Sequence, residues 1–312
     1  MAVHHQPERR GQENPTLNRA ARMGVATEDE QLLESPSTRP AAPDFTSSDP
    51  WRVLRITGEF VEGFDALAKV GPAVTIFGSA RVPPEDPFYQ AARETARLLG
   101  EAGFSIITGG GPGIMEAANQ GARDAEAPSI GCNIELPFEQ AINEYVDLAI
   151  NFRYFFVRKT MFVKYAEAFI IFPGGFGTLD ELFEALTLIQ TGKVRDFPVI
   201  LYGSDYWRGL IDWIKDPLLA EGKISPDDVN LLRVTDSPEE VARVVVECHE
   251  RLCDQKREEP VRPNGGARRR QIHGAVSFHP RTPRPGTQPA PGEAPSTVDP
   301  TTPAEPEKHA GE

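Results

Sequence analysis

Histidine is nearly absent from the part of the sequence that would fold. Of the six histidines in the 312-residue chain, only His249 lies between residues 51 and 254. Histidine is the usual general base near neutral pH and a frequent metal ligand. Its scarcity therefore disfavours enzymes that depend on a histidine base or on a histidine metal site.

Cysteines and long apolar runs are also scarce. The three cysteines, Cys132, Cys248 and Cys253, are an odd number without metal-ligand spacing, which indicates a reducing compartment. No apolar run is long enough to span a bilayer, and no signal-peptide core follows the first residue. We therefore expect a cytoplasmic protein that has no membrane partner.

Composition divides the chain into three parts. Residues 1–50 are polar and contain scattered prolines, and residues 255–312 contain eleven prolines. Neither part can bury enough apolar surface to offset the entropy of ordering, so we predict disordered tails on both sides of a single folded domain, residues 51–254. This domain carries −12 of the net charge of −13. Such a charge disfavours nucleic acid as the main ligand, whereas a small phosphorylated metabolite in a local positive pocket is compatible with it.

Short apolar runs alternate with helical patterns through the domain. We predict strands at residues 73–77, 104–108, 129–134, 146–152, 168–172 and 198–202. We predict helices at residues 51–68, 87–102, 114–125, 154–167, 206–219 and 238–253, and a further helix that begins after residue 175. Alternation of this kind predicts an α/β fold with a Rossmann-like, doubly wound parallel sheet. Ligands of such sheets bind at the carboxyl ends of the strands.

The segment Pro173–Glu181 joins one of these strands to a helix through a glycine turn. A helix that begins in this way presents unpaired N–H groups and the positive end of its dipole to an anion. The candidate phosphate contacts are Gly174, Gly175, Gly177 and Thr178. Glu181 would add a carboxylate one turn into the helix. Thr178 and Glu181 also fit a capping box, and the segment alone leaves both interpretations open.

A second glycine loop follows the strand at residues 104–108. Its candidate ligand contacts are Gly110, Gly111, Gly113 and Met115. Neither loop has the third glycine of a dinucleotide fingerprint, and neither ends in the Gly-Lys-Ser/Thr of a P-loop. Two glycine loops at strand ends of one sheet favour a single small phosphorylated ligand.

Arg158 lies within an apolar arc of its predicted helix, together with Phe155 and Phe162. A guanidinium in such a position is costly unless it is paired or meets an anion. The alternatives are a structural ion pair and a ligand contact, and we favour the ligand contact. Ser79, after the first strand, is either a turn residue or a phosphate contact.

Three of these segments resemble one known family. They are Gly109 to Glu116, Arg158-Lys159 and Pro173 to Glu181, and they are similar to the Lonely guy (LOG) family of cytokinin riboside 5′-monophosphate phosphoribohydrolases. An older label for this family is "lysine decarboxylase-like". Phe77 to Arg81 and Asn151 to Phe156 resemble the longer bacterial type. The likeness covers roughly residues 55–250.

The resemblance implies a function and a set of site residues. It implies hydrolysis of the N-glycosidic bond of a purine nucleoside 5′-monophosphate, AMP or an N6-modified AMP, without a cofactor or metal. Arg158 and Glu181 become the catalytic pair, and Lys159 and Thr187 join the substrate contacts. Glu139 takes the place of a substrate-binding glutamate, although its Leu-Pro-Phe-Glu-Gln loop differs from that of the short plant-type proteins. The family likeness also implies a homodimer or a higher homo-oligomer.

Two other functions remain open from the residues alone. A non-catalytic nucleotide-binding or regulatory protein would use the same glycine loops without turnover. A true amino-acid decarboxylase would need pyridoxal phosphate on a lysine, and the sequence contains no His-Lys pair.

Overall fold

The computed structural model describes residues 27–33, 45, 48–136, 141–195 and 197–258, with the side chains of residues 253–258 left out. The chain divides into two units, residues 1–260 and residues 261–312, and every described residue belongs to the first.

The described residues form one seven-stranded sheet. Its strands are β1 (Ala73–Phe77), β2 (Ser105–Thr108), β3 (Ser129–Ile134), β4 (Leu148–Phe152), β5 (Ala168–Ile171), β6 (Val199–Tyr202) and β7 (Leu232–Thr235). The order across the sheet is β4-β3-β2-β1-β5-β6-β7, and every neighbouring pair is parallel. The predicted Rossmann-like fold is confirmed.

Eight α-helices are described. They are α1 (Glu28–Leu33), α2 (Asp49–Leu67), α3 (Pro87–Glu101), α4 (Ile114–Asp124), α5 (Phe155–Tyr165), α6 (Phe176–Gln190), α7 (Ser204–Trp213) and α8 (Pro238–Glu258). Residues of α3, α4 and α8 form one apolar core with one face of the sheet. Residues of α2, α5, α6 and α7 form a second core on the opposite face. The sheet is therefore covered on both sides, and this coverage explains why its central strands are continuous apolar runs.

One edge of the sheet was not predicted. Strand β7 and the 3₁₀ helix Pro226–Leu231 in front of it have no counterpart among the predicted elements. The strand has only four residues, and its central residues, Arg233 and Val234, are exposed. A short edge strand of this kind buries too little surface to produce an apolar run. Helix α7 was predicted to reach residue 219, but from Ile214 to Leu219 the helix is a π-helix that contains Pro217.

Helix α1 lies inside the predicted N-terminal tail. Its residue Glu28 forms an ion pair with Arg55 of α2, with 3.0 Å between Oε1 and a guanidinium nitrogen. The domain boundaries remain a prediction, because most of both tails lies outside the described residues. None of the described helices is long and apolar enough to cross a lipid bilayer.

The strand order places a crevice between β1 and β5. From β1 the chain winds outward to β4 through β2 and β3, and it then returns to the other side of β1 as β5. The connections after β1 and β5 therefore diverge at the carboxyl edge of the sheet. Ligand sites of doubly wound folds form at such a switch point.

Candidate active site

A cavity of about 580 Å³ opens at this switch point. The loops after β1 and β3, helix α5 and the N-terminus of α6 line it. Its polar lining includes Ser79, Asn133, Arg158, Thr178 and Glu181. The structure thus brings the predicted catalytic pair to one cavity.

Backbone hydrogen bonds tie three of the surrounding loops together. The N–H of Ser79 donates to the carbonyl of Pro173 at 2.9 Å, and the N–H of Ile114 donates to the carbonyl of Ser79 at 3.1 Å. Gly113, at the N-terminus of α4, has φ +70°, and a Cβ there would lie 2.5 Å from the Ser79 carbonyl oxygen. The fold requires glycine at this position because the loops after β1 and β2 are in contact there and leave no room for a side chain.

Helix α6 begins at Phe176, directly after the glycine turn. Its first described backbone bond runs from Leu179 N–H to the Gly175 carbonyl at 3.0 Å. The N–H groups of residues 176–178 precede this bond and lack helical acceptors, as expected for a helix end. Gly175, Phe176, Gly177 and Thr178 line the cavity. The predicted anion cradle is therefore directed at the cavity.

The capping-box interpretation of this segment is wrong. Gly175, and not Thr178, is the N-cap residue, and no side chain caps the helix. Thr178 is already the third helical residue, and it is buried. A Cβ on Gly174 would lie 2.1 Å from the Thr178 hydroxyl oxygen, so glycine at position 174 makes room for this side chain. Glu181 is thus free of a capping role.

Glu181 is a buried carboxylate at the cavity. Its side chain is 3% exposed, and its Oε2 atom is buried with no hydrogen-bond donor in the described part of the chain. Burial raises the pKa of Glu181 to about 7, although the positive charges of Lys159 and Arg158 lower it. A carboxyl group of this kind changes its protonation state near neutral pH, which general acid–base chemistry requires.

Arg158 lies across the cavity on α5. Its guanidinium stacks on two aromatic rings, with 4.9 Å from Cζ to the centroid of Phe155 and 5.5 Å to that of Phe162. Its Nε atom is buried without an acceptor among the described residues. Burial lowers the pKa of Arg158, and the negative charge of Glu181 is the largest opposing influence. The alternative of a structural ion pair has no support here, because no carboxylate of the described residues pairs with this guanidinium.

Lys159 is not among the residues that line the cavity. Its Nζ atom lies 2.9 Å from a carboxylate oxygen of Asp180 and 3.0 Å from one of Glu184, both on α6. This contact ties α5 to α6 beside the predicted catalytic pair. The role of Lys159 as a substrate contact stays a prediction.

The remaining predicted contacts divide into three groups. Ser79, Met115, Gly175, Gly177 and Thr178 line the cavity, whereas Gly110, Gly111, Gly113, Gly174 and Thr187 do not. The carbonyls of Gly110 and Gly111 accept the Asn143 side-chain amide at 3.1 and 3.0 Å. Thr187 is exposed on α6 and donates its hydroxyl to the Phe183 carbonyl. Glu139 lies outside the described residues.

Sequence reasoning assigned no site role to several cavity residues. Phe155 and Phe162 were noted only as companions of Arg158 in an apolar arc. Phe176 is the first residue of α6; it is 92% exposed and lines the cavity. Its position within the glycine turn, where a large apolar side chain has nothing to pack against, was the available signal.

The fold and the cavity define a class. The described part of the chain is a doubly wound α/β fold with a crevice at its switch point, and the N-terminus of α6 forms one wall of that crevice. The comparisons with known proteins narrow this class. The family model described as "Possible lysine decarboxylase" matches residues 115–245.

Two relatives carry a more specific name. The probable cytokinin riboside 5′-monophosphate phosphoribohydrolase LOG6 of Arabidopsis thaliana is 34% identical over 142 residues, which cover 45% of this chain and 70% of that protein. The cytokinin riboside 5′-monophosphate phosphoribohydrolase of Mycobacterium tuberculosis is 29% identical over 167 residues, 53% of this chain and 88% of that protein. The chain belongs to this LOG family of phosphoribohydrolases, which confirms the resemblance predicted from its motifs.

A solved structure with a related sequence carries a different name. The molybdenum cofactor binding protein of Rippkaea orientalis is 26% identical, with a TM-score of 0.41, and the match covers 59% of this chain and 99% of that one.

Proposed function

We propose that this protein hydrolyses the N-glycosidic bond of a purine nucleoside 5′-monophosphate, AMP or an N6-modified AMP, to free base and ribose 5-phosphate. Family membership makes the chain an enzyme of the N-glycosyl hydrolase class, as the sequence predicted. The observation that carries the proposal is the buried carboxylate of Glu181, whose Oε2 atom has no hydrogen-bond donor among the described residues and which shares one cavity with Arg158 and the N-terminus of α6.

The N-terminus of α6 suits the 5′-phosphate. Its first N–H groups point toward the cavity without helical acceptors, and the helix dipole favours negative charge there. Gly175 and Gly177 are open to a ligand, since a Cβ on either would meet nothing within 4 Å. A phosphate held at this end would place the ribose over the first turn of the helix, where Glu181 lies. Binding of the phosphate thereby positions the bond that is cleaved.

Glu181 suits the cleavage step. In this step a water oxygen bonds to C1′ of the ribose, and the bond from C1′ to the base nitrogen breaks with its electron pair on the base. The ribose ring gains positive charge on the way, as in other glycoside hydrolyses. The carboxylate of Glu181 stabilises this charge and accepts the proton of the attacking water. The departing base takes up a proton.

Arg158 suits two roles at the same time. Its positive charge lowers the pKa of Glu181 and so favours the ionised carboxylate. Its donors face no carboxylate of the described chain, which leaves them for ligand oxygens such as those of the phosphate or ribose. The aromatic rings of Phe155 and Phe162 hold the guanidinium in place.

Purified protein incubated with AMP, followed by chromatography for adenine, tests the proposal. We expect adenine and ribose 5-phosphate in equal amounts, and a parallel reaction with an N6-alkylated AMP tests the preference for the base. Release of no base from any purine monophosphate would contradict the proposal. If the same nucleotides then raised the melting temperature, the chain would be a nucleotide-binding protein without turnover.

A further inference from the structure

Carboxylates from two other helices cap the N-terminus of α5. Glu59 of α2 accepts the N–H groups of Arg153, at 3.2 and 3.1 Å, and of Tyr154, at 3.4 Å. Asp29 of α1 accepts the N–H of Phe155 at 3.2 Å. Tyr154, the N-cap residue, provides no side-chain cap of its own. Three successive backbone donors thus depend on residues far away in sequence.

The cap is fixed from several sides. Glu59 is 7% exposed, although it is charged in water. Glu28, beside Asp29, binds Arg55 of α2 and accepts the hydroxyl of Tyr154 at 3.1 Å. Helix α1 is therefore attached both to α2 and to the residue that begins α5. Negative charge at this end of α5 also complements its dipole.

Helix α5 connects this cap to the cavity. Phe155, Arg158 and Phe162 are all cavity-lining residues of the helix. The N–H of Arg158 makes the first turn by donating to the carbonyl of Tyr154 at 3.3 Å. Burial raises the pKa of Asp29, while the Phe155 N–H and the positive charge of Arg158 lower it. Asp29 therefore lies in the electric field of Arg158 as well as at the start of its helix.

We propose that Glu59 and Asp29 are positioning residues of the active site, which act through the first turn of α5 to hold Arg158 and Phe155 against the cavity. The proposal rests on the proposed function, because it assigns Arg158 to the reaction. It extends the site to Asp29 and Glu59, which precede the first strand and the region that the family model matches.

The size of the effect follows from the role of the cap. A helix end without acceptors for its first N–H groups frays, and the fraying reaches Arg158 within one turn. Small displacements of groups that orient a substrate reduce rates by about 10²-fold in unfavourable cases. Asp29 accepts one of the three N–H donors, so we expect Asp29→Ala to lower kcat/KM by about tenfold. Asp29→Asn keeps an oxygen acceptor and should restore a large part of this loss.

The matched control is Glu30→Ala in the full-length chain. Glu30 is the next residue of α1, carries the same charge and is exposed. We expect this variant to keep the wild-type kcat/KM within about twofold, a range typical of exposed positions. Equal losses in Asp29→Ala and Glu30→Ala would overturn the proposal. Glu59→Ala is the second variant; it removes the acceptor of two of the three N–H groups and should lower kcat/KM, while the melting temperature shows that it folds.

A double-mutant cycle separates positioning from a merely structural role. If Asp29 acts through Arg158, Asp29→Ala should cost clearly less in an Arg158→Lys background than in the wild type. The same factor in both backgrounds would overturn the proposal. Hydrogen exchange without substrate gives an independent measurement, since Asp29→Ala should speed exchange of the amides of residues 153–155 and Glu30→Ala should not.

These measurements distinguish the failure of this proposal from failure of the proposed function. Base release by the wild type, with unchanged amide exchange in Asp29→Ala, overturns the positioning role alone. If the wild type releases no base, the proposed function fails, and AMP affinity then decides the positioning role. Asp29→Ala must then weaken AMP binding when Arg158 is present and leave it unchanged in the Arg158→Lys background. Any other result overturns the positioning role as well.

Discussion

Glu59 and Glu181 are buried glutamates on the same side of the sheet, but their carboxylates have opposite surroundings. Glu59 is 7% exposed and accepts backbone N–H groups at the start of α5. Glu181 is 3% exposed, and its buried Oε2 atom has no donor within the described ranges. Burial raises the pKa of both side chains.

The difference separates a carboxylate with hydrogen-bond donors from one whose buried oxygen has none among the described residues. A buried carboxylate costs free energy unless donors satisfy it, and Glu59 has its donors. Glu181 receives no such compensation from the described residues, so the fold carries an unsatisfied group at the cavity. Uncompensated polar groups of this kind are typical of functional sites, where stability is lower than it would otherwise be.

The largest expected effect is that of Glu181→Gln. The amide keeps the shape of the side chain but cannot accept the proton of water, so we expect kcat to fall by about 10²- to 10⁴-fold. Stability should be unchanged or higher, because a buried charge is removed. Base release and thermal unfolding measure both effects, with the exposed Glu62→Gln as control. Full activity in Glu181→Gln would end the catalytic role proposed for this residue.

The pH dependence of stability is the next effect. Burial raises the pKa of Glu181 from 4.5 to about 7, so the folded state binds this proton more tightly than the unfolded chain. The protonated Glu181 therefore adds about 3 kcal/mol to the free energy of unfolding below about pH 4.5. This contribution is lost as the pH rises through about 7. Urea unfolding of wild type and Glu181→Gln at several pH values should therefore give a stability difference that grows with pH.

A pH-independent difference between these two proteins would mean that Glu181 has an ordinary pKa. The same carboxylate should also shape the activity. If the ionised form accepts the proton of water, the wild-type rate rises with pH and levels off above about 7. A rate that falls over this range would assign the residue to acid catalysis.

Arg158→Lys should have a smaller effect than Glu181→Gln. Lysine keeps the positive charge that lowers the pKa of Glu181, but it loses the planar guanidinium that stacks on Phe155 and Phe162. We expect kcat/KM to fall by about 10- to 100-fold, because the donors lose their fixed direction. Arg153→Lys, at an exposed position near the start of the same helix, is the control. Equal activity of both variants would mean that Arg158 contributes only its positive charge.

The sequence was sufficient to predict six of the seven strands and to select Arg158 and Glu181 as candidate catalytic residues. Strands such as β1 and β5 are fully buried apolar runs, and their pattern identifies them without further information. Arg158 was recognised because a guanidinium among aromatic side chains needs an anion. Glu181 was recognised by its place after the glycine turn, together with the family resemblance.

Other features depend on contacts that no local pattern records. Glu59 and Asp29 are ordinary acidic residues in the sequence, and their partners are backbone N–H groups of residues 153–155. Asn143 holds the carbonyls of Gly110 and Gly111, more than 30 residues before it in the chain. Backbone groups carry no sequence signature, so these bonds appear only in the folded chain.

We expect the smallest effect from Lys159→Met, which tests whether Lys159 contacts the substrate. The structure places the ammonium group between Asp180 and Glu184, whereas the family resemblance makes it a substrate contact. The positive charges of Lys159 and Arg158 both lower the pKa of Glu181. If Lys159 acts only through its charge, its removal therefore raises that pKa. We then expect a two- to fivefold loss of kcat/KM at pH 7, recovered at higher pH, a size typical of partly exposed charges. The exposed Lys164→Met on the same helix is the control. A loss near 10²-fold that persists at high pH, with a raised KM, would instead identify Lys159 as a direct contact that binding of the nucleotide draws into the cavity.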